Sequence, residues 1–160
     1  MGLADLSSVL WRERDLLELL LFKLDEERLL LAAGRTRWVA HATAEVDIVL
    51  RQLRQTEVLR AAEVVAVAAA FDLPGDASLA QLADRVDDPW SGLLREHRDA
   101  FLTLTAEINA LAEANQEMLT TGLRAVRETM LTVPGATETY GRRGEAVAAM
   151  AQGQLIDKAS

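Results

Sequence analysis

The stretch Pro89–Leu131, PWSGLLREHRDAFLTLTAEINALAEANQEMLTTGLRAVRETML, decides the fold: about 43 residues with no proline after the first. Phe101, Leu104, Ile108, Leu111, Asn115 and Met118 recur every three or four residues, which sets them on one face of a single helix with one amide among the apolar side chains. After Asn115 the spacing continues through Leu119, Leu123, Val126 and Met130, displaced by one position, the mark of a stutter. At 1.5 Å per residue the helix spans roughly 65 Å. That is too long for a compact globule to cover and suits the spine of an antiparallel bundle. Asp88 is a suitable N-cap with Pro89 at the first helical position, and Pro134-Gly135 is a stop.

Outward from the spine, Leu3 to Ala33 reads as a first helix. Leu10, Leu17, Leu24 and Leu31 lie seven apart, flanked by Leu6, Leu20 and Leu21. Leu16, Phe22, Leu29 and Leu30 widen this surface toward a second neighbour. Gly34 is its expected C-terminal stop. Asp25-Glu26-Glu27 reads as a solvated face. Thr36 is the expected cap of a second helix to about Phe71, with Val39, Ala42, Val46, Val49, Leu50 and Leu53 as its stripe. Ala61, Val64, Ala68 and Phe71 carry that face onward, past a more polar helical turn at Gln55, Thr56 and Glu57. Leu73-Pro74-Gly75-Asp76 is a turn, and Ser78 with Gln81 makes a capping box for a short connecting helix, about Leu79 to Arg85. The expectation is all-α: an antiparallel bundle of three long helices with one short connecting helix over residues 1–132. Residues 133–160 form a mobile, flexible tail.

Composition narrows the function. Half of the 160 residues are apolar and only 4% aromatic, which suits helices packed on helices. Net charge −8 repels a phosphate backbone, so nucleic acid is not an expected partner. The chain has no cysteine, hence no thiolate ligand or nucleophile. Charges interrupt Leu16–Leu24, so membrane insertion is not expected, and the N-terminus lacks the pattern of a signal peptide. A di-iron carboxylate bundle needs Glu-x-x-His, and neither His41 nor His97 has a glutamate three residues before it. With no phosphate loop and no nucleophile elbow either, no catalytic residue, metal or cofactor is expected. His41 reads as a surface residue and His97 as a hydrogen-bonded histidine near a bundle end. Trp11, Trp38 and Trp90 read as packing residues near helix ends. Asn115 has two readings: an amide that fixes the register of the seam, or a residue that the stutter turns to solvent.

Three segments in this order resemble the FlgN family of flagellar export chaperones. The first helix ends Lys23-Leu24-Asp25-Glu26-Glu27-Arg28-Leu29-Leu30-Leu31. The second carries Val46-x-x-Val49-Leu50-x-x-Leu53-x-x-x-Glu57-x-x-Arg60. The long helix contains Ala114-Asn115-Gln116-Glu117-Met118-Leu119-Thr120-Thr121-Gly122-Leu123. The resemblance covers about Leu6 to Met130. It implies a cytoplasmic chaperone that binds hook-associated (hook–filament junction) proteins, keeps them unassembled and presents them to the flagellar type III export gate. In the family the late part of the long helix holds the client. The resemblance therefore implies Leu119, Leu123, Val126 and Met130 as anchors, and the displaced stripe selects the same four. It also implies a gate contact by a tyrosine near the C-terminus, for which Tyr140 is the candidate. Two other readings use the same stripes: a self-associating helical scaffold, and a chaperone for a different flagellar or type III client. When free, the chain is expected to be a monomer or a dimer.

Overall fold

A computed structural model describes residues 2–132. Tyr140, the Pro134-Gly135 stop and the expected flexible tail lie outside these residues. The described chain contains four helices and no strand: α1 (Leu3–Ala32), α2 (Thr36–Ala70), α3 (Leu79–Arg85) and α4 (Trp90–Met130). No helix among them is long and apolar enough to cross a membrane.

The ends of the elements follow local chemistry. Gly34 takes φ +66°, the left-handed conformation that costs a residue without Cβ nothing. Its N–H reaches Leu31 O at 3.1 Å while Arg35 N–H reaches Leu30 O at 2.9 Å, so two orphan carbonyls of α1 are satisfied in a Schellman motif. Asp72 does the same for α2 at φ 53°, with Leu73 N–H on Ala68 O at 2.9 Å. The expected capping box opens α3: Ser78 Oγ accepts from Gln81 N–H, and Gln81 Oε1 accepts from Ser78 N–H. Two starts differ from expectation. Thr36 is itself the first helical residue of α2, the flanking position being Arg35, whose carbonyl accepts from Trp38 N–H at 2.9 Å. The α4 helix begins at Trp90, with Pro89 flanking it after a cis Asp88–Pro89 bond. Asp88 still caps this end, its Oδ1 accepting from Gly92 N–H at 3.2 Å.

The chain divides into two compact units. Residues 1–19 and 49–104 form the first. Its core packs Leu6 and Leu10 of α1 with Val64, Val67 and Ala68 of α2, Leu79, Leu82 and Ala83 of α3, and Leu94 of α4. Each fully buried leucine contributes roughly 2 kcal/mol. Ala61, expected on the inner face of α2, is exposed, and Val67 holds the inner line instead. Trp11 lies just over two turns inside α1 rather than at its end. Half exposed, it meets the buried His97 edge-on at 4.9 Å and carries the Arg14 guanidinium on its ring at 4.3 Å. Burial and the Arg14 charge hold His97 below the usual histidine value.

Of the described residues, 20–48 and 105–132 belong to the second unit. Here α1 and α2 run antiparallel, since Lys23 pairs with Glu45 at 2.8 Å and Glu27 with Thr43 at 2.9 Å. Buried Leu20, Leu24, Ala42, Val46, Ile108 and Ala112 fill it. On α4 the buried line passes through Thr105 and Ala112, with Leu104 and Leu111 half-buried beside them. Small residues take the centre of the seam, and the leucines expected there flank it.

Two expectations about α1 fail together. Its inner line is Leu6, Leu10, Glu13, Leu17, Leu20, Leu24, Glu27, an unbroken alternation of threes and fours that includes two glutamates. Glu27 is therefore buried, not part of a solvated face, whereas Asp25 beside it is exposed. Phe22 and Leu29 point to solvent, 61% and 63% exposed, rather than to a second neighbour. Each sits two residues, about 200°, from the inner line at Leu20 and Glu27.

Candidate functional site: the late part of α4

Asn115 sets where α4 stops being covered. It is 1% exposed, and its Nδ2 donates to Leu24 O at 2.8 Å and to Glu27 Oε1 at 3.1 Å. Glu27 Oε2 in turn accepts from Thr43 Oγ1 at 2.9 Å. One polar cluster thus draws on α1, α2 and α4 inside the second unit. Of the two readings of Asn115, the structure takes the buried, register-fixing one. A one-turn slip of α4 would carry the amide away from both acceptors and leave Glu27 buried with one donor fewer.

Asn115 is the last buried residue of α4, yet the helix continues to Met130, about fifteen residues or roughly 22 Å further. The α1 helix ends at Ala32, only a little more than one turn past Glu27. Beyond Leu119 every described residue of α4 except Leu123 is exposed. The four stripe residues lie along this stretch: Leu119 and Leu123 half-buried, Val126 40% exposed and Met130 43% exposed. Spaced by four, three and four, they share one helix face, which is the pattern that takes a partner helix. Leu131 follows, almost fully exposed. Tyr140 is outside the described residues.

Further apolar surface in this unit, part of which the sequence assigns to a second neighbour, is open. Phe22, Leu29 and Trp38 are exposed there, Trp38 with the Arg37 guanidinium 4.9 Å from its ring centre. The signal was available in their offset from the inner lines. His41 is on the surface, its Nε2 3.4 Å from Glu45 Oε1. Among the described residues no group of three histidines or carboxylates is placed to hold a metal ion. The chemistry this site offers is the covering of apolar surface.

Comparison with known proteins adds one finding. Searches of curated proteins and of solved structures returned no match. The family model described as FlgN protein matches residues 1–148, which contain all four helices, the buried Asn115 cluster and the exposed stretch beyond it. An all-helical chain matched over nearly its whole length, with its long helix left uncovered at one end, belongs to the FlgN family of flagellar export chaperones.

Proposed function

We propose that this chain is a cytoplasmic export chaperone. It binds hook-associated (hook–filament junction) proteins through α4 beyond Asn115, holds them unassembled and delivers them to the flagellar type III export gate. The observation that carries this reading is the apolar line of half-buried Leu119 and Leu123 and exposed Val126 and Met130, on a helix that runs on past its covering. On this reading the three long helices make one antiparallel bundle over residues 1–132. Its support is the pairing of Glu13 with Arg60, Lys23 with Glu45 and Glu27 with Thr43, in which the α2 number falls as the α1 number rises. The bundle then acts as the handle, and the overhanging turns offer a client's amphipathic helix an apolar face that substitutes for its assembly partner. On the same reading Tyr140 contacts the gate.

The test is light scattering on a size-exclusion column with a hook-associated protein as client. The full chain is expected to form a one-to-one complex. Leu123→Asp with Val126→Asp is expected to weaken it a hundredfold or more, because two charges would then be desolvated under the client helix. Both positions are half-buried or exposed, so helicity by circular dichroism should be unchanged. A folded double variant with full client binding sinks the assignment. Tyr140→Ala is expected to keep client binding and to lose capture of the loaded complex by the export-gate component. Unchanged capture removes Tyr140 from the site.

A further inference from the structure

Charge at the overhanging end of the second unit runs against the charge of the chain. Residues 28–44 hold Arg28, Arg35 and Arg37 and no carboxylate, in a chain of net charge −8. They form the turn end of the α1–α2 hairpin, just past the contact of Glu27 with Thr43. All three arginines are exposed, and among the described residues none of them pairs with a carboxylate. Arg37 instead lies over half-exposed Trp38, its guanidinium 4.9 Å from the ring centre. On α4 beyond Asn115, Arg124 and Arg127 add two more cations. The carboxylates of that stretch, Glu117 and Glu128, lie two residues, about 200°, from Leu119 and Val126, on the far side of the helix from the apolar line. Residues 133–160 hold as many cations as carboxylates.

This end is therefore apolar and cationic together. On the bundle reading of the fold, a helix laid on Leu119, Leu123, Val126 and Met130 stands where α1 and α2 would have continued. One of its ends then meets the hairpin turn with its three arginines and Trp38. We infer that the segment this chain takes on its α4 overhang is an acidic amphipathic helix. Its apolar side chains, spaced by three and four, cover the line, and a cluster of aspartates or glutamates sits at the end that abuts the hairpin. Apolar burial supplies most of the affinity, while the charges speed the encounter and choose which end of the segment faces the hairpin. A segment with lysines there would set cation against cation, with no carboxylate in residues 28–44 to relieve it. Carboxylates elsewhere on the chain repel an acidic segment, so this end is where it settles. The inference rests on the reading of the overhang as the client face and adds to it the chemistry of the client.

The probes are two synthetic peptides of about 20 residues, with the same leucine line and either glutamates or lysines at one end. In anisotropy titrations with the full chain at about 50 mM salt, the glutamate peptide should bind about tenfold tighter, and the gap should close toward about 500 mM. Arg35→Glu with Arg37→Glu should reverse the preference. Both positions are exposed, so circular dichroism should not change. Leu123→Asp with Val126→Asp should abolish binding of both peptides. Equal binding of the two peptides, or a preference that survives the double reversal, overturns the proposal. Vesicles of phosphatidylglycerol that displace the glutamate peptide would make the occupant a bilayer, and an overhang closed to both peptides by a second copy would make it a dimer. Either result overturns the proposal too. A hook-associated protein titrated in parallel separates the two readings. If it still binds Leu123→Asp with Val126→Asp while the peptide is lost, the client assignment falls and the overhang remains a site for acidic helices. If its binding is indifferent to salt and to Arg35→Glu with Arg37→Glu, the acidic helix falls and the client face stands.

Discussion

Arg60→Met is expected to lower the unfolding free energy by about 3 kcal/mol, the scale of loss when a buried carboxylate keeps its charge and loses its cation. Glu13 is 2% exposed on the inner line of α1, between Leu10 and Leu17. Its two carboxylate oxygens accept from the same Arg60 Nη1, at 3.2 and 3.3 Å. The Arg60 guanidinium also lies 5.4 Å from the centre of the Phe101 ring, so side chains of α1, α2 and α4 meet at one level of the first unit. With Arg60 truncated to an apolar chain, Glu13 must ionise unpaired, take up a proton or break its layer. Arg60 is itself 30% exposed, so water softens the loss, and the estimate sits at the lower end of the range for broken buried pairs.

The partner experiment is Glu13→Leu with Arg60→Met. Removing both charges leaves no uncompensated ion and adds apolar area, so the double variant should recover most of the loss and match or exceed the wild type. Urea unfolding followed by circular dichroism measures all four corners of the cycle. A single variant within 1 kcal/mol of the wild type, or a double variant no better than Arg60→Met alone, would show that the pair does not carry the layer. Full recovery with looser cooperativity would locate the value of the pair in alignment instead. A Glu–Arg match at one level of a leucine line rejects slipped registers that leucines alone tolerate.

The helix ends and the long helix were legible because their determinants are local. Ser78 and Gln81 are three residues apart, and Gly34 comes three residues after Leu31, the last leucine of the seven-residue spacing in α1. The inner line of α1 was harder to read. Its leucines at seven-residue spacing stand out, but Glu13 and Glu27 lie on the same line. Each is tolerable inside only because of a partner far along the chain, Arg60 at a separation of 47 and Asn115 at 88. A carboxylate with no visible partner belongs in solvent, and the solvated reading of Glu27 was the sound inference from one segment alone. The displaced line after Asn115 was visible in the spacing. Its exposure follows from where α1 ends relative to Asn115, a long-range fact that no pattern within α4 contains.

The cluster around Asn115 is expected to give the second large effect, and one that depends on pH. Burial holds the Glu27 carboxyl above the usual glutamate value, while the hydrogen bonds from Thr43 and Asn115 pull it down. A folded value above the unfolded one means that the stabilising contribution is complete below the unfolded value and is lost as pH rises through the folded value. Where Glu27 is ionised, the protein therefore carries a buried carboxylate that the fold tolerates rather than prefers. Thr43 shows why. Its Oγ1 lies 2.9 Å from both Glu27 Oε2 and Val39 O, and a hydroxyl has one proton to donate. Against ionised Glu27 that proton is drawn to the carboxylate and Val39 O loses it. Against a neutral acid, Glu27 donates to Thr43, Thr43 donates to Val39 O, and Asn115 still donates to Oε1.

Glu27→Gln reproduces the neutral arrangement at every pH. Above the pH at which Glu27 ionises in the folded protein it should be more stable than the wild type, by about 1 kcal/mol for the recovered hydrogen bond. The difference should close as pH falls toward 4. His97 works in the opposite direction, since its lowered value makes the protein lose stability as pH falls below 6.5. Both proteins share His97, so the difference between them isolates Glu27. Where Glu27 is ionised, Asn115→Leu should cost about 2 kcal/mol, because a buried charge loses a donor, and distinctly less in the Glu27→Gln background. Denaturant melts of the four proteins at pH 7 and pH 4.5 decide the matter. If Glu27→Gln is less stable than the wild type at high pH and the deficit shrinks as pH falls, the site is built for the carboxylate. Asn115 and Thr43 would then be its dedicated donors, and the register of α4 would rest on charge rather than on an amide in a neutral chain of hydrogen bonds.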